Sequence, residues 1–408
     1  MPLASGLDGQ KLFAKTSPPR IAVIGAGAFG GWTALHLRNL GAQVTLLDAW
    51  GPGNARSSSG GESRVIRAIY GPDRIYVEMV KRAYELWEKM DASGGPGSER
   101  LYVETGALWL HRGDDAYVRS SLPILNDLGF PVDQLTIAET KRRYPQIDLK
   151  GIKSVWLERR AGALSARAAC IAVRDAFTAA GGDYRVARAE PGPILKGSLP
   201  ALRLEDGSRI EADVFVFACG PWIGRMFPDV IGERVRSTRQ EVYYFGTPAG
   251  SDRYIPARFP VWIDFGERVF YGIPDIGGRG FKIADDTRGD PFDPTSGDRT
   301  PSQDGIARAR GILTERFPEL AKAPLLKAEV CQYENSPDGH LIVDRHPAAK
   351  NVWLLGGGSG HGFKLSPAVG EIAAQGILAG KDVPKLFRLE RLRDATKPST
   401  QFDIKKKG

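Results

Sequence analysis

Cysteine is scarce in this sequence of 408 residues, which contains only Cys170, Cys219 and Cys331. So few cysteines do not make a framework of disulfides, and this usage is typical of a reducing compartment. The chain also lacks an apolar run approaching the roughly 20 residues that span a bilayer. Its first 20 residues contain no continuous apolar segment of a secretory signal, and its last residues carry no peroxisomal address. We therefore expect a soluble cytoplasmic protein with no membrane partner.

Neither sign of charge dominates the sequence. Its 56 basic and 48 acidic residues give a net charge of +8, and they are spread along the chain. The one dense basic run, Lys405–Lys407, predicts a solvated end rather than a nucleic-acid surface. A hydrophobic content of 42% is that of a globular protein, and the length exceeds that of one simple core. We expect at least two domains, a small-molecule substrate and no nucleic-acid partner.

The most informative stretch lies near the amino terminus and is rich in glycine. The apolar run Ile21–Ile24 predicts a buried parallel strand, and a helical pattern follows Gly30. Between them, Gly25 permits a tight turn and Gly27 lets the backbone approach a pyrophosphate. Gly30 lets the helix pack closely on the strand, and the amino-terminal end of the helix attracts phosphate. This pattern predicts a dinucleotide site, although an ordinary glycine turn would contain the same residues.

An acidic residue follows at the expected distance. A second predicted strand, residues 43–47, ends at Asp48, about 20 residues after the glycines, where a carboxylate binds ribose hydroxyls. The motif itself does not distinguish NAD from FAD. A second glycine cluster, Gly356–Gly362, follows another apolar strand near the carboxyl terminus and favours the longer FAD. The alternative is that these glycines only make a tight strand-to-helix turn.

Strand signals divide the chain into interleaved parts. Wholly apolar runs at 214–220 and 352–356 resemble the first strand, whereas 243–283 contains short aromatic strands typical of an antiparallel sheet. The fold class is therefore α/β, with a Rossmann-like cofactor domain that is discontinuous in sequence and a second, β-rich mixed-sheet substrate domain. We assign residues 18–98, 161–234 and 336–395 to the first domain, and 99–160 and 235–335 to the second.

Several individual elements are predicted from periodicity and breakers. Helices are expected over residues 76–90, 115–128, 137–144, 307–316 and 368–378. Ser366 and Pro367 are the expected N-cap and first residue of the last helix. Strands at 194–204 and 209–211 are expected to flank the turn Asp206-Gly207. The loop 51–67 is rich in glycine and serine and is either functional or a surface linker; its Arg64 and Arg67 would share one face of a helical turn.

Five motifs stand out between about residue 20 and residue 387. They are Gly25-x-Gly-x-x-Gly30, Ser63-Arg-Val-Ile-Arg67-x-x-Tyr70-Gly71, Gly280-Phe-Lys282, Val330-Cys-Gln-Tyr333 and Gly358-Ser-Gly-His-Gly-Phe-Lys364. Together, and in this order, they resemble the monomeric sarcosine oxidase family of FAD-dependent amine oxidases, which includes N-methyltryptophan oxidase. The resemblance implies FAD attached covalently through Cys331, by a thioether to the 8α-methyl group. Cys170 and Cys219 match no position of attachment.

The resemblance also implies the roles of the site residues. Lys282 would lie over the flavin and activate O₂, because a fixed positive charge stabilises developing superoxide. Arg67 and Lys364 would hold the substrate carboxylate. Arg64, Tyr271, Tyr333 and His361 would line the flavin and substrate. The cofactor-binding residues are Gly25, Gly27, Phe29, Gly30, Asp48, Ser57, Ser63, Arg64, Cys219, Gly220, Trp222, Cys331, Gly358, Gly360, His361, Gly362, Phe363 and Lys364, and no metal is expected.

One position departs from the family pattern. Asp286 occupies the place at which sarcosine-type members carry an active-site histidine. A carboxylate there is a poor neighbour for a small anionic amino acid, but it would pair with a cationic or polar substrate group. Sarcosine itself is therefore not the expected substrate.

The expected activity is oxidation of a secondary amine, an N-alkyl or cyclic amino acid, to an imine that hydrolyses. O₂ would be reduced to H₂O₂, and the enzyme is expected to be a monomer. Three alternatives remain open at this point: an oxidase of fructosyl amino acids or another larger substrate, a flavin dehydrogenase with another electron acceptor, and a flavoprotein without turnover.

Overall fold

A computed structural model describes residues 17–94, 98–393 and 400–402 of the chain. This part contains twenty β-strands, numbered in chain order: β1 (Arg20–Ile24), β2 (Gln43–Asp48), β3 (Ser63–Ile66), β4 (Tyr102–Glu104), β5 (Ala107–His111), β6 (Val132–Leu135), β7 (Ser154–Glu158), β8 (Gly162–Ser165), β9 (Asp183–Val186), β10 (Ala189–Pro191), β11 (Ala201–Leu204), β12 (Arg209–Glu211), β13 (Val214–Phe217), β14 (Arg236–Phe245), β15 (Val261–Phe265), β16 (Val269–Ile273), β17 (Phe281–Asp285), β18 (Leu325–Asn335), β19 (Ile342–His346) and β20 (Ala349–Gly356).

The described residues also contain eight α-helices: α1 (Ala28–Asn39), α2 (Arg74–Ala92), α3 (Ala116–Leu128), α4 (Ile137–Arg143), α5 (Ala166–Ala179), α6 (Ile223–Met226), α7 (Gln303–Arg316) and α8 (Gly362–Ala379). The helices predicted over residues 76–90, 115–128, 137–144 and 307–316 are confirmed as α2, α3, α4 and α7. In α2 the residues at helical spacing, Tyr76, Val80 and Trp87 among them, are buried, as an amphipathic helix requires.

A six-stranded sheet has the strand order β19-β20-β13-β1-β2-β9. Its pairings are parallel except for the antiparallel pair β19–β20. The apolar runs that predicted parallel strands thus lie side by side, because each is buried on both faces. The carboxyl ends of parallel strands meet at one edge, so the turn after β1, the acid at the end of β2 and the residues after β13 come together there.

A second sheet of eight strands has the order β18-β14-β17-β16-β15-β5-β7-β6. It is antiparallel apart from the pair β15–β5, which confirms the predicted β-rich mixed sheet. Strand β14 lies between β17 and β18, with Tyr244 opposite Lys282 and Gln240 opposite Cys331. Lys282 on β17 and Cys331 on β18 are distant in sequence, but only β14 separates their strands in the sheet.

The start of the last helix differs from the prediction. Helix α8 begins at Gly362, so Ser366 and Pro367 lie inside it and Ser366 is not its N-cap. The glycine turn sets the start, because Gly360 adopts φ +80° and the chain enters the helix directly after His361. Pro367 lies far enough into the helix that its missing N–H removes a single backbone hydrogen bond.

Two further local predictions are wrong. Arg64 lies within strand β3 and Arg67 directly follows it, so the two do not share a helical face. The strand predicted over residues 194–204 contains only Ala201–Leu204, because Pro193 and Pro200 lack the N–H groups that a ladder needs. The hairpin itself is confirmed, since β11 and β12 pair across the predicted turn.

No helix in the described ranges is long and apolar enough to cross a membrane. The basic run Lys405–Lys407 lies outside these ranges, as do residues 95–97 and 394–395 of the predicted cofactor domain. The proposed division of the chain into two domains stays a prediction.

Candidate active site

A long cavity with an empty volume of about 1340 Å³ opens at the carboxyl edge of the six-stranded sheet. It extends from the residues after β1, β2 and β13 to the glycine cluster before α8. Crevices at this edge of a parallel sheet are where such folds bind dinucleotides.

The first glycine turn has the close contacts that its motif predicts. Gly25 adopts φ +105°, and a Cβ there would lie 2.3 Å from the carbonyl oxygen of Ala218. A Cβ on Gly30 would lie 1.8 Å from the carbonyl oxygen of Gly25. Any side chain at either position would therefore separate strand from helix. Gly27 lies on the cavity wall and leaves space beside the amino-terminal end of α1, where phosphate groups bind.

Asp48 lies at the end of β2 and on the cavity wall. Its carboxylate accepts hydrogen bonds from the backbone N–H groups of Ala26 (2.8 Å), Trp50 (2.9 Å) and Gly51 (2.8 Å). Burial raises its pKa, and the three N–H groups oppose that rise. The carboxylate therefore organises the turn as well as facing the cavity, where its remaining lone pairs are available to a ribose hydroxyl.

The second glycine cluster forms the opposite end of the cavity. The N–H of Gly358 donates to Glu334 Oε1 at 3.0 Å. Gly360 has φ +80°, and a Cβ on it would lie 2.8 Å from the Tyr333 ring. The backbone therefore passes directly against strand β18, and no larger residue would fit. A cradle with glycines at both ends suits an elongated ligand with a central pyrophosphate, which fits FAD.

Most of the predicted cofactor residues line this cavity, namely Gly25, Gly27, Phe29, Asp48, Ser57, Arg64, Cys219, Gly220, Trp222, Gly358, Gly360, Gly362 and Phe363. Gly30 lies beneath the wall as a packing residue, and Ser63 lies behind it on β3. His361 and Lys364 line a second, adjoining cavity instead.

The second cavity has an empty volume of about 570 Å³ and shares Arg64, Tyr333, Gly360 and Phe363 with the first. Its walls bring together the predicted substrate residues Arg64, Arg67, Tyr271, Asp286, Tyr333, His361 and Lys364. These residues come from five separate segments of the chain. Lys282 and Cys331 lie near the junction of the cavities without lining either.

Two buried cations lie in the second cavity. Arg67 is 4% exposed, and its guanidinium lies 4.5 Å from the centroid of the Tyr70 ring. Lys364 is also 4% exposed and donates from Nζ to the carbonyl oxygen of His361 at 3.0 Å. Burial, followed by the charge of Arg67, lowers the pKa of Lys364 well below its ordinary value. An anion bound between the two would reverse that effect, so the pair is suited to a carboxylate.

Asp286 faces the same cavity from the loop after β17. Its Oδ1 accepts the hydroxyl hydrogen of Tyr333 at 2.7 Å. Burial raises its pKa to about 6, against the effect of that hydrogen bond and of Arg67 and Lys364. The cavity therefore combines two cations with one carboxyl group that titrates below neutral pH.

His361 is held on both ring nitrogens. Its Nε2 lies 2.9 Å from the carbonyl oxygen of Gly339, and its Nδ1 lies 3.1 Å from the hydroxyl of Tyr70. Burial lowers its pKa well below 6.5, so the ring is neutral. His361 therefore holds in place both the turn before α8 and Tyr70, whose ring lies against the Arg67 guanidinium.

Lys282 and Cys331 lie close to Arg64. Lys282 is 1% exposed and donates from Nζ to the carbonyl oxygen of Ser63 at 2.7 Å. Burial, followed by the charge of Arg64, lowers its pKa to about 7. The Sγ of Cys331 lies 3.6 Å from Nη2 of Arg64, which supplies the basic neighbourhood that a reactive thiol needs. Burial raises the pKa of Cys170 to about 12.

Several residues that line these cavities were not predicted, and four of them make notable contacts. Glu334 is 7% exposed, and its Oε2 has no hydrogen-bond partner among the described residues although it borders the large cavity. Burial raises its pKa to about 7. Ser59 accepts the N–H of Ala28 at 3.0 Å at the start of α1. Gln401 and Phe402 line the second cavity. Only Ser59 had a sequence signal, since it lies in the serine-rich loop.

No group of three His, Cys, Asp or Glu side chains suited to a metal occurs in the described ranges. The substrate cavity is lined by Arg64, Arg67 and Lys364, by the carboxyl group of Asp286 and by the rings of Tyr271 and Tyr333. These residues can bind an anion, exclude water and place positive charge beside a cofactor.

Comparison with known proteins identifies the family. Residues 20–376 match the family described as FAD dependent oxidoreductase. The chain is 30% identical over 394 residues to the monomeric sarcosine oxidase of Streptomyces avermitilis, covering 93% of this chain and 98% of that protein. Among solved structures, L-proline dehydrogenase from P. horikoshii has a TM-score of 0.79 at 23% identity, with 93% of this chain and 99% of that chain covered.

Amadoriase I from Aspergillus fumigatus, a fructosyl amine:oxygen oxidoreductase, has a TM-score of 0.75 at 22% identity, with coverage of 94% and 92%. At these identities the two structural likenesses show the fold alone. The predicted family resemblance, fold class and enzyme class are confirmed by these matches. Together with the cradle at the sheet edge, they show that the chain belongs to the FAD-dependent oxidoreductase family, with relatives of the sarcosine oxidase type.

Proposed function

We propose that the protein is an amine oxidase that uses FAD to oxidise a secondary amine carrying a carboxylate, such as an N-alkyl or cyclic amino acid. The observation that carries this proposal is the pair of buried cations, Arg67 and Lys364, in a small cavity that adjoins the cofactor cavity. The carboxyl group of Asp286 lines the same cavity and offsets part of their charge, and a substrate carboxylate would offset more of it.

FAD, when bound, would supply the acceptor for the hydride that leaves the C–H bond beside the amine nitrogen, and O₂ would take up the two electrons with two protons to give H₂O₂. The chain's own residues position the substrate. Arg67 donates to the carboxylate as a planar fork, and Lys364 adds a point charge that strengthens when the anion binds. Tyr271, Tyr333 and Phe363 wall the cavity and exclude water from the reacting carbon. The imine product then hydrolyses with one water molecule.

Asp286 supports a substrate larger than sarcosine. Its carboxyl group lies in the same cavity as the carboxylate-binding pair, so it is available to a second polar group of a ligand. With a pKa of about 6 it is ionised at neutral pH and accepts hydrogen bonds. A substrate with an additional N–H or O–H donor near its amine would satisfy this group.

Lys282 supports O₂ as the electron acceptor, and Cys331 supports covalent attachment of FAD. The ammonium group of Lys282 is buried near Arg64, where positive charge stabilises an oxygen anion. The Arg64 guanidinium lies 3.6 Å from Cys331 Sγ and gives it the basic surroundings in which covalent attachment is favoured. The proposal includes a cytoplasmic monomer with a cofactor domain and a substrate domain, in line with three unpaired cysteines.

The test compares paired substrates on the native protein and on an Arg67→Gln variant. N-methyl amino acids and cyclic amino acids should release H₂O₂, and the variant should lower kcat/KM by about 100-fold, the effect of losing a charge-assisted pair. For the corresponding amines without the carboxylate, both proteins should have the same low kcat/KM. If Arg67→Gln lowers kcat/KM equally for amines with and without the carboxylate, Arg67 does not bind a carboxylate and the proposal is wrong. Absence of H₂O₂ with N-methyl amino acids, cyclic amino acids and fructosyl amino acids alike would also overturn it.

A further inference from the structure

Two residues near the carboxyl terminus lie in the proposed substrate cavity. Gln401 Oε1 accepts a hydrogen bond from Nη2 of Arg67 at 2.6 Å. The ring of Phe402 lies with its centroid 5.3 Å from the Arg67 guanidinium carbon. The same ring packs edge-to-face against Tyr117, at 5.4 Å between centroids, and Phe265, at 5.1 Å. Both a polar and an apolar contact therefore hold this segment in place.

Gln401 binds the guanidinium nitrogen of Arg67 that faces the substrate cavity. Nη1 of Arg67 donates to the carbonyl oxygen of Ile69, which is backbone behind the cavity wall. Nη2 is the other terminal nitrogen, and it donates to Gln401. An amide oxygen accepts from a guanidinium in the same direction as one oxygen of a carboxylate. Gln401 thus occupies a donor that the proposed substrate needs.

Gln401 and Phe402 also lie at the boundary between two cavities. Gln401 and Phe402 line both the substrate cavity and an outer cavity that includes His111 and Arg288. Val269, Asp286 and Tyr333 are the other residues shared by the two cavities. A ligand that passes from the outer cavity to Arg67 must pass this boundary, so the size of the Phe402 ring limits what passes.

We propose that Gln401 and Phe402 determine substrate specificity: Gln401 competes with the substrate carboxylate for Arg67, and Phe402 limits the bulk of the substrate. This inference rests on the proposed function, because it takes the ligand of Arg67 to be a carboxylate. A carboxylate displaces the amide because it is charged and the amide is not. Anions that bind Arg67 only weakly therefore do not displace Gln401, whereas substrates that make further contacts in the cavity do.

The experiment measures binding of acetate, which has a carboxylate and no amine to oxidise. Titration calorimetry and the visible spectrum of the flavin give its Kd for the purified holoenzyme. Gln401→Ala removes the competitor and should lower the Kd by about tenfold. Gln401→Glu places a carboxylate against Arg67 and should raise the Kd by at least about tenfold. Gln375→Ala is the matched control, because Gln375 lies on helix α8, accepts a hydrogen bond from Lys381 Nζ at 3.3 Å and lines neither cavity.

A Phe402→Ala variant tests the second half of the inference. It should lower the Kd of hexanoate at least about fivefold more than that of acetate, since only the longer chain needs the space of the ring. Equal Kd values for acetate in Gln401→Ala, Gln401→Glu and the native protein would overturn the role of Gln401, with the proposed function intact. If the ratio of the hexanoate Kd to the acetate Kd is the same in Phe402→Ala and in the native protein, Phe402 does not limit the size of the substrate. If acetate binds to none of the proteins, both the inference and the proposed carboxylate site are wrong.

Discussion

Replacing Asp286 with asparagine should stabilise the folded protein at neutral pH, although the residue lies in the proposed active site. The carboxyl group is buried, and its pKa rises to about 6 from an ordinary value of 3.8. A raised pKa means that the ionised form is less favourable in the folded protein than in the unfolded chain. Asparagine keeps an oxygen that accepts the Tyr333 hydroxyl hydrogen, and it carries no charge that burial disfavours.

The magnitude follows from the two pKa values. Between pH 4 and 6 the folded protein binds more protons at Asp286 than the unfolded chain, so its stability falls as the pH rises through this range. The two values differ by about two pKa units, and each unit corresponds to roughly 1.4 kcal/mol. Above pH 7 the ionised carboxylate therefore costs about 3 kcal/mol. At pH 4 this cost is below about 1 kcal/mol.

Urea titration followed by tryptophan fluorescence, repeated from pH 4 to pH 8, measures this effect. The free energy of unfolding of Asp286→Asn should exceed that of the native protein by an amount that grows with pH and levels off above pH 7. The neighbouring Asp285→Asn is the control, because Asp285 is paired with Arg268 at 2.6 Å and its loss should be destabilising. A difference that does not change with pH, or a destabilised Asp286→Asn at pH 8, would refute the reasoning.

Two other predictions concern the cofactor. Lys282→Met should slow the reaction of the reduced enzyme with O₂ by about 100-fold or more in stopped-flow experiments, while reduction by substrate changes little; equal loss in both would contradict a role in O₂ activation. In the native protein the O₂ reaction should decline as the pH rises through about 7, because burial lowers the pKa of Lys282 to that value and its charge is lost above it. Cys331→Ser should release the yellow colour from an acid-precipitated pellet, whereas Cys170→Ser should retain it; retention in Cys331→Ser would rule out the thioether.

The sequence was informative where structure depends on local contacts. The turn at Gly25 and Gly30 follows from carbonyl oxygens that leave no room for a Cβ, so the motif by itself predicts strand, turn and helix. The helix at residues 76–90 follows from its apolar spacing. Asp48 was also located correctly at the end of its strand, but its three backbone hydrogen bonds were not foreseen.

The remaining features depend on contacts between distant segments. Ser366 and Pro367 have the residue types of a helix start, yet the turn at Gly360 begins the helix earlier because Tyr333 of another strand leaves no room there. Glu334 has no local signal, since its importance comes from the cavity that Gly358 and Gly220 form beside it. Gln401 meets Arg67 across 334 positions of sequence, which no periodicity reveals.

The order of strands in the six-stranded sheet has a consequence for biosynthesis. Strand β1 leaves the ribosome first, but its sheet is complete only when β20, residues 349–356, pairs with β13. At about 5–20 residues per second, that delay is on the order of tens of seconds. During this time the apolar edge of β13 has no partner in its own chain and is exposed to other chains or to chaperones. The glycine cluster after β20 is synthesised later still, so we expect the cofactor to be loaded only after this segment has been made.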